Sequence, residues 1–155
     1  MKIAIGSDHR GFEAKERIKA YLQGLEHEVL DFGVESAGSS DYPDTAFPAA
    51  QAVANHEADM GVLICGTGIG MSIAANKVRG VRAALCHDEL TAQMARHHND
   101  ANVLCLAGDL IGEELARRTV DAWLGGKFDG GRHERRINKI TAFEKQHEGK
   151  SPDPR

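Results

Sequence analysis

At 155 residues, with 41% apolar and 27% charged side chains, the chain has the length and composition of one soluble globular domain with a real hydrophobic core. A formal net charge of −4 gives no general attraction to nucleic acid or to an anionic membrane, and no apolar run approaches the length of a membrane span. Three cysteines, Cys65, Cys86 and Cys105, form no C-x-x-C pair, which argues against a disulfide framework and against a structural zinc site. The chain opens on strand-like Lys2-Ile3-Ala4-Ile5, so no signal peptide is expected and the cytoplasm is the natural compartment.

In chain order, a first strand over 2–6 leads into a polar turn, Ser7-Asp8-His9-Arg10-Gly11. A helix over 12–23 follows, with Ala14, Ile18, Tyr21 and Leu22 at helical spacing, then a strand over 29–32. Gly38, Ser39, Ser40 and Pro43 break any periodicity over 34–44, and Asp44 is expected to cap a helix over 45–55. The apolar run 60–65 reads as a strand, the glycine turn after it as the start of a helix over 69–77. Strands are expected at 80–86 and 103–107, and helices at 89–97, 112–124 and 132–147. The segment 149–155, with two prolines, reads as a disordered tail on a single domain spanning 1–148. Strand–helix alternation five times over, with one additional helix, predicts an α/β fold. The expected form is a three-layer α/β/α, Rossmann-like open parallel sheet of about five strands with helices on both faces.

In such a sheet ligands bind outside the carboxyl ends of the strands. Asp8 and His9, Cys65 and Thr67, His87 and Asp88, and Asp109 all fall at strand ends. The centre of this set is Ile64-Cys65-Gly66-Thr67-Gly68-Ile69-Gly70-Met71-Ser72, a strand, a glycine turn and a helix start. Unpaired N–H groups and the helix dipole converge there, suiting a small anion or a developing oxyanion. A thiol beside such donors is expected to ionise more readily and to act as nucleophile or base, although a free cysteine is more often a small core residue. The glycine spacing is not that of a dinucleotide fingerprint or a P-loop. Asp8 is equally readable as a helix cap. His97, His98, Asn99 and Asp100 end a helix, where histidine is often only favourable dipole chemistry. Arg132 and Arg136 share one face of the last helix and read either as a solvated basic face or as a clamp on a phosphate.

Together these pieces resemble the ribose-5-phosphate isomerase B family, which includes the galactose-6-phosphate isomerase subunits. The matching segments are Gly6-Ser7-Asp8-His9, Asp41-Tyr42-Pro43, the glycine turn, Ala74-Ala75-Asn76-Lys77, His98-Asn99-Asp100, and Gly130-Gly131-Arg132-His133 with Arg136. The resemblance implies interconversion of phosphorylated aldoses and ketoses without metal or cofactor. It implies that Cys65 moves a proton between C1 and C2 through a cis-enediolate, with Thr67 assisting and the backbone of Gly66, Thr67, Gly68, Ile69 and Gly70 holding the enediolate oxygens. His98 is implied to open the sugar ring, helped by Asp8, with His97 a minor alternative. His9, Arg132 and Arg136 would hold the phosphate, Asn99 a sugar hydroxyl, and Tyr42 would line the site. The implied assembly is a homodimer or a dimer of dimers with the site between subunits.

The sequence departs from the resemblance at Asp109, where many members carry an arginine that helps bind the phosphate. A carboxylate there would repel a dianion, so either the phosphate sits differently or the substrate does. D-ribose 5-phosphate is the first expectation, and an allose, galactose or tetrose phosphate the second. A non-catalytic, flavodoxin-like phosphate-binding module is the competing class, and a redox sensor built on Cys65 a weaker one.

Overall fold

The computed structural model of the chain describes residues 1–147, so the expected tail at 149–155 lies outside them. Eleven elements alternate along those residues: β1 Lys2–Ser7, α1 Phe12–Gly24, β2 Glu28–Asp31, α2 Tyr42–Ala54, β3 Met60–Cys65, α3 Ile69–Ala75, β4 Ala83–Leu85, α4 Glu89–Asn99, β5 Val103–Ala107, α5 Glu113–Gly125 and α6 Arg132–Gln146. The five strands form one parallel sheet in the order β2-β1-β3-β5-β4.

Strands β3 and β5 are buried along almost their whole length, as their unbroken apolar sequences require of central strands in a parallel sheet. Alternation along each strand divides the core in two. Ile3, Ile5, Val62, Ile64, Leu104 and Leu106 face one side, packed with Ile18 and Leu22 of α1, Ala92 and Ala95 of α4, and Val120 and Trp123 of α5. Ala4, Leu63, Cys65, Val103 and Cys105 face the other, against the alanine-rich α2 and Met71, Ala74 and Ala75 of α3. Helices cover both faces, giving the expected three layers, and α6 packs outside α4. Among the described residues no helix is long and apolar enough to cross a membrane.

The elements differ from expectation mainly at their ends. Helix α2 begins at Tyr42, after the extended Asp41, so Asp44 lies in its first turn instead of capping it. Pro43 permits this, because a proline in the first helical turn gives up an N–H that has no helical partner. Strand β4 is shortened to Ala83–Leu85, since the Arg82 N–H already donates to the Asn102 side chain at 2.7 Å. Helix α4 starts on a capping box between Asp88 and Thr91 and runs on to Asn99, ended by Asp100 in the left-handed region at φ 42°.

The first helix is fastened to the sheet edge by a buried ammonium. The Lys15 side chain is 2% exposed, and its Nζ lies 2.8 Å from Asp31 and 2.7 Å from Glu16. Burial works to raise the Asp31 carboxyl, but hydrogen bonds from Lys15, Lys19 and the Gly33 N–H outweigh it and hold the group below its ordinary value of 3.8. A carboxyl depressed in the folded state contributes stability that is complete above its unfolded value and lost as pH falls through the lower folded one. Denaturant unfolding of Asp31→Ala is therefore expected to show a loss of about 3 kcal/mol at neutral pH, because a buried charge loses its partner. The deficit relative to the unsubstituted protein should shrink as pH falls below 3.8.

Candidate active site

The carboxyl edge of the sheet gathers the first turn, the glycine turn and the exit of β5. Asp8 is buried, and its Oδ1 accepts the backbone N–H groups of Arg10 and Gly11, each at 3.0 Å. This makes Asp8 the organiser of the turn; the residue preceding α1 is Gly11, with no side-chain cap. A side chain on Gly11 would collide with the Ile64 carbonyl, and only that close approach seats the turn beside the end of β3. His9 is fixed by Ser40, whose hydroxyl accepts the His9 N–H at 3.0 Å and whose own N–H lies 3.2 Å from His9 Nδ1.

Cys65 ends β3 and is 5% exposed. The Gly68 N–H donates to its Sγ at 3.1 Å, which fixes the sulfur against the turn. Gly68 has φ 72°, and a side chain there would strike Leu85 and the Leu106 backbone, so glycine is required on both counts. Thr67 is exposed at the lip, its Oγ1 accepting the Ile69 N–H at 3.3 Å. The ring of Tyr42 covers Gly70. The turn is tied to β5 by the Gly108 N–H on the Cys65 carbonyl (2.8 Å) and the Asp109 N–H on the Gly66 carbonyl (3.1 Å). Asp109 does not stand alone: Arg10 Nε meets its Oδ2 at 2.6 Å, and the pair lies against Gly66. The same Arg10–Asp109 pair walls a cavity of about 330 Å³ with His9, Arg17 and Ile111.

The remaining expected residues form a second group. In a parallel sheet each helix carries the chain back to the edge where the next strand starts. His97, His98 and Asn99 close α4 just before β5 begins, and therefore lie at the amino edge. Arg132 and Arg136 are exposed on α6, which starts beside them. His97 Nδ1 is 2.7 Å from Asp129, whose backbone N–H donates to the His97 carbonyl at 3.0 Å. The hydrogen bond from His97 is the main cause that holds the Asp129 carboxyl below its ordinary range. His98 stacks on His133 with ring centroids 4.2 Å apart and planes within 5°. Among the described residues no hydrogen bond, ion pair or ring contact joins this group to the Cys65 group. At about 3.3 Å per residue, the length of β3 puts roughly 20 Å between the two edges.

The ligand atoms of His98, Asp129 and His133 lie within 4.8 Å of one another. Parallel rings cannot both aim an in-plane lone pair at one ion, so the arrangement is that of a stack and not of a chelate. Arg10, Ser40 and His133 escaped the reading of the sequence as site residues. Ser40 sits in an irregular loop with no local pattern to mark it, whereas the helical position of His133 between Arg132 and Arg136 was visible.

A doubly covered parallel sheet with a thiol held at a glycine turn, facing the N-terminus of a helix, defines a Rossmann-like enzyme acting on a small anionic ligand. Comparison with known proteins makes this specific. Residues 3–140 match the model of the family described as ribose/galactose isomerase. Ribose-5-phosphate isomerase B of Escherichia coli is 50% identical over 145 residues, 94% of this chain and 97% of that one. The D-erythrulose-4-phosphate isomerase of Pectobacterium atrosepticum is 43% identical, covering 94% and 97%. The structure of Clostridium thermocellum ribose-5-phosphate isomerase B superposes with a TM-score of 0.93 at 50% identity, over 95% of this chain and 99% of that one. The chain belongs to the ribose/galactose isomerase family, and it is a sugar-phosphate isomerase.

Gly68→Ala is expected to cost about 2 kcal/mol or more through a positive φ imposed on an L-residue. Because the same change moves the donor on Cys65, activity should fall further than the loss of folded protein explains; thermal unfolding and turnover measured on one preparation check this.

Proposed function

We propose that the protein interconverts D-ribose 5-phosphate and D-ribulose 5-phosphate in a site completed by a second copy of the chain. The observation that carries this reading is the N–H···S contact from Gly68 to Cys65, a base held against oxyanion donors. Cys65 removes the C2 proton, the enediolate oxygens lie against the N–H groups of residues 66–70, and the proton returns at C1. Thr67 assists at the lip and Tyr42 walls the turn. A preorganised donor of this kind lowers such a barrier by roughly 3–4 kcal/mol.

Ring opening, a sugar-hydroxyl contact and phosphate binding call in turn on His98, on Asn99, and on Arg132 with Arg136, which lie at the opposite edge of the same chain. A two-fold dimer solves this, since an isologous contact brings each edge to the partner's complementary one. Exposed apolar side chains accompany both groups: Ile69 and Ile73 beside the glycine turn, Ile140 and Phe143 on the arginine-bearing helix. In that assembly His98 of the partner subunit opens the ring with help from Asp8, while His9 and the partner's arginines hold the phosphate. His97 is engaged by Asp129, which leaves His98 the better placed of the two. The pairing of Asp109 with Arg10 offsets the charge expected to repel a phosphate, and so removes the objection that Asp109 raises to ribose 5-phosphate. The relative named for D-erythrulose 4-phosphate supports a second reading, a tetrose phosphate as substrate.

Purified protein in EDTA should turn over ribose 5-phosphate faster than about 1 per second. Cys65→Ala should lower kcat by about a thousandfold with little change in binding. Near wild-type turnover by that variant would remove Cys65 as the base. Turnover of erythrose 4-phosphate but not ribose 5-phosphate would select the second reading; an Asp109→Arg variant that gains affinity for ribose 5-phosphate would indicate that another phosphorylated sugar is the native substrate.

The shared site has its own test. Cys65→Ala and His98→Asn homodimers, each nearly inactive, are unfolded together, refolded and assayed. Random pairing in a two-fold dimer should restore about a quarter of wild-type activity, through heterodimers holding one intact site. A mixture no more active than its components would place both residues in a site within one chain.

A further inference from the structure

His133 is the one buried residue of α6, between the exposed Arg132 and Arg136. Its ring docks the helix by lying flat on His98, 4.2 Å between centroids and 5° between planes. The connection into α6 is also clamped to α4 through Asp129, by side chain and backbone, on His97. Adjacent histidines at the end of α4 are thus held separately, one by a carboxylate and one by a parallel ring. We infer that His133 is a positioning residue for His98, fixing the plane of its imidazole by laying a second ring flat against it.

This rests on the proposed role of His98 in ring opening. A group that opens a hemiacetal must give and take a proton in a fixed direction, and a free rotor at a helix end would lose that direction. Two imidazolium rings face to face would repel, so a partner that charged at the same pH would break the stack when His98 is protonated. The surroundings of His133 prevent that. Burial, then His98, Arg132 and Arg136, push its pKa down from 6.5, and Asp129 opposes them only in part. His97, the other titratable group on this face, has its Nδ1 turned to Asp129.

The test separates ring opening from proton transfer. Ribulose 5-phosphate has no ring to open, because its 5-oxygen carries the phosphate, so entry of solvent deuterium at its C1 reports the Cys65 step alone. In His133→Ala, isomerisation starting from ribose 5-phosphate should slow about tenfold or more with KM nearly unchanged, while deuterium entry stays close to wild type. His133→Phe keeps a flat uncharged ring and should restore most of the lost rate. Equal loss in both assays, no loss in either, or a phenylalanine variant no better than the alanine one would overturn the inference. Should the alanine variant fail to fold, the phenylalanine variant still decides it. A wild-type protein inactive on every sugar phosphate would instead defeat the proposed function. The stack is then judged by histidine-ring magnetic resonance: His133 should remain neutral at pH 6.5, and protonation of both rings at that pH would overturn the inference.

Discussion

A parallel sheet has direction, and that constraint governs where chemistry can be assembled in this molecule. All five strands leave the sheet at one edge, and the helices return the chain to the other. A thiol at the end of β3 and a histidine at the end of α4 are therefore held apart by the length of a strand. No side-chain rotation closes a gap of roughly 20 Å. The proposed chemistry, which calls on both, needs two chains brought together, and exposed apolar residues lie near each group. Monomer packing and the proposed two-chain site thus trace to one topology.

At the carboxyl edge, order is imposed by backbone contacts more than by side chains. Gly11 lies against Ile64, Gly68 against Leu106 and Leu85, and the exit of β5 is hydrogen-bonded to Cys65 and Gly66. With the first turn, the glycine turn and the β5 exit locked to one another, the sulfur of Cys65 has little freedom. A side chain fixed in this way loses little entropy on meeting a ligand, which favours rate in the role proposed for Cys65.

The alternation of strands and helices, the glycine turn and the strand-end placement of Asp8, His9, Cys65 and Asp109 were legible because each rests on local periodicity or turn chemistry. Strands β3 and β5 came out with their full extents for that reason: both are uninterrupted apolar runs. The start of α2 was misplaced because Pro43 reads equally as a breaker and as a first-turn residue, and only tertiary packing decides between them. The shortening of β4 depends on Asn102, twenty residues on from Arg82, taking its N–H. The stack of His98 on His133 and the pairing of Arg10 with Asp109 join residues far apart in the chain, and no window of sequence displays them. The resemblance gathered nine side chains into one site; chain direction, also readable from the order of elements, splits them between two edges.

Arg10 and Asp109 show how a carboxylate at a strand end can be neutralised by its neighbour. A lone carboxylate beside Gly66 would oppose both a phosphate and an enediolate, since each adds negative charge within a few ångströms. With Arg10 Nε at 2.6 Å from Asp109, the distant field of that carboxylate is largely cancelled, and the terminal guanidinium nitrogens are left as further donors at the same edge. The arginine is itself placed by Asp8, which accepts its backbone N–H. The local charge at this corner is thus set by three residues acting together. What a substituted family position does to substrate choice follows from that sum and not from Asp109 alone.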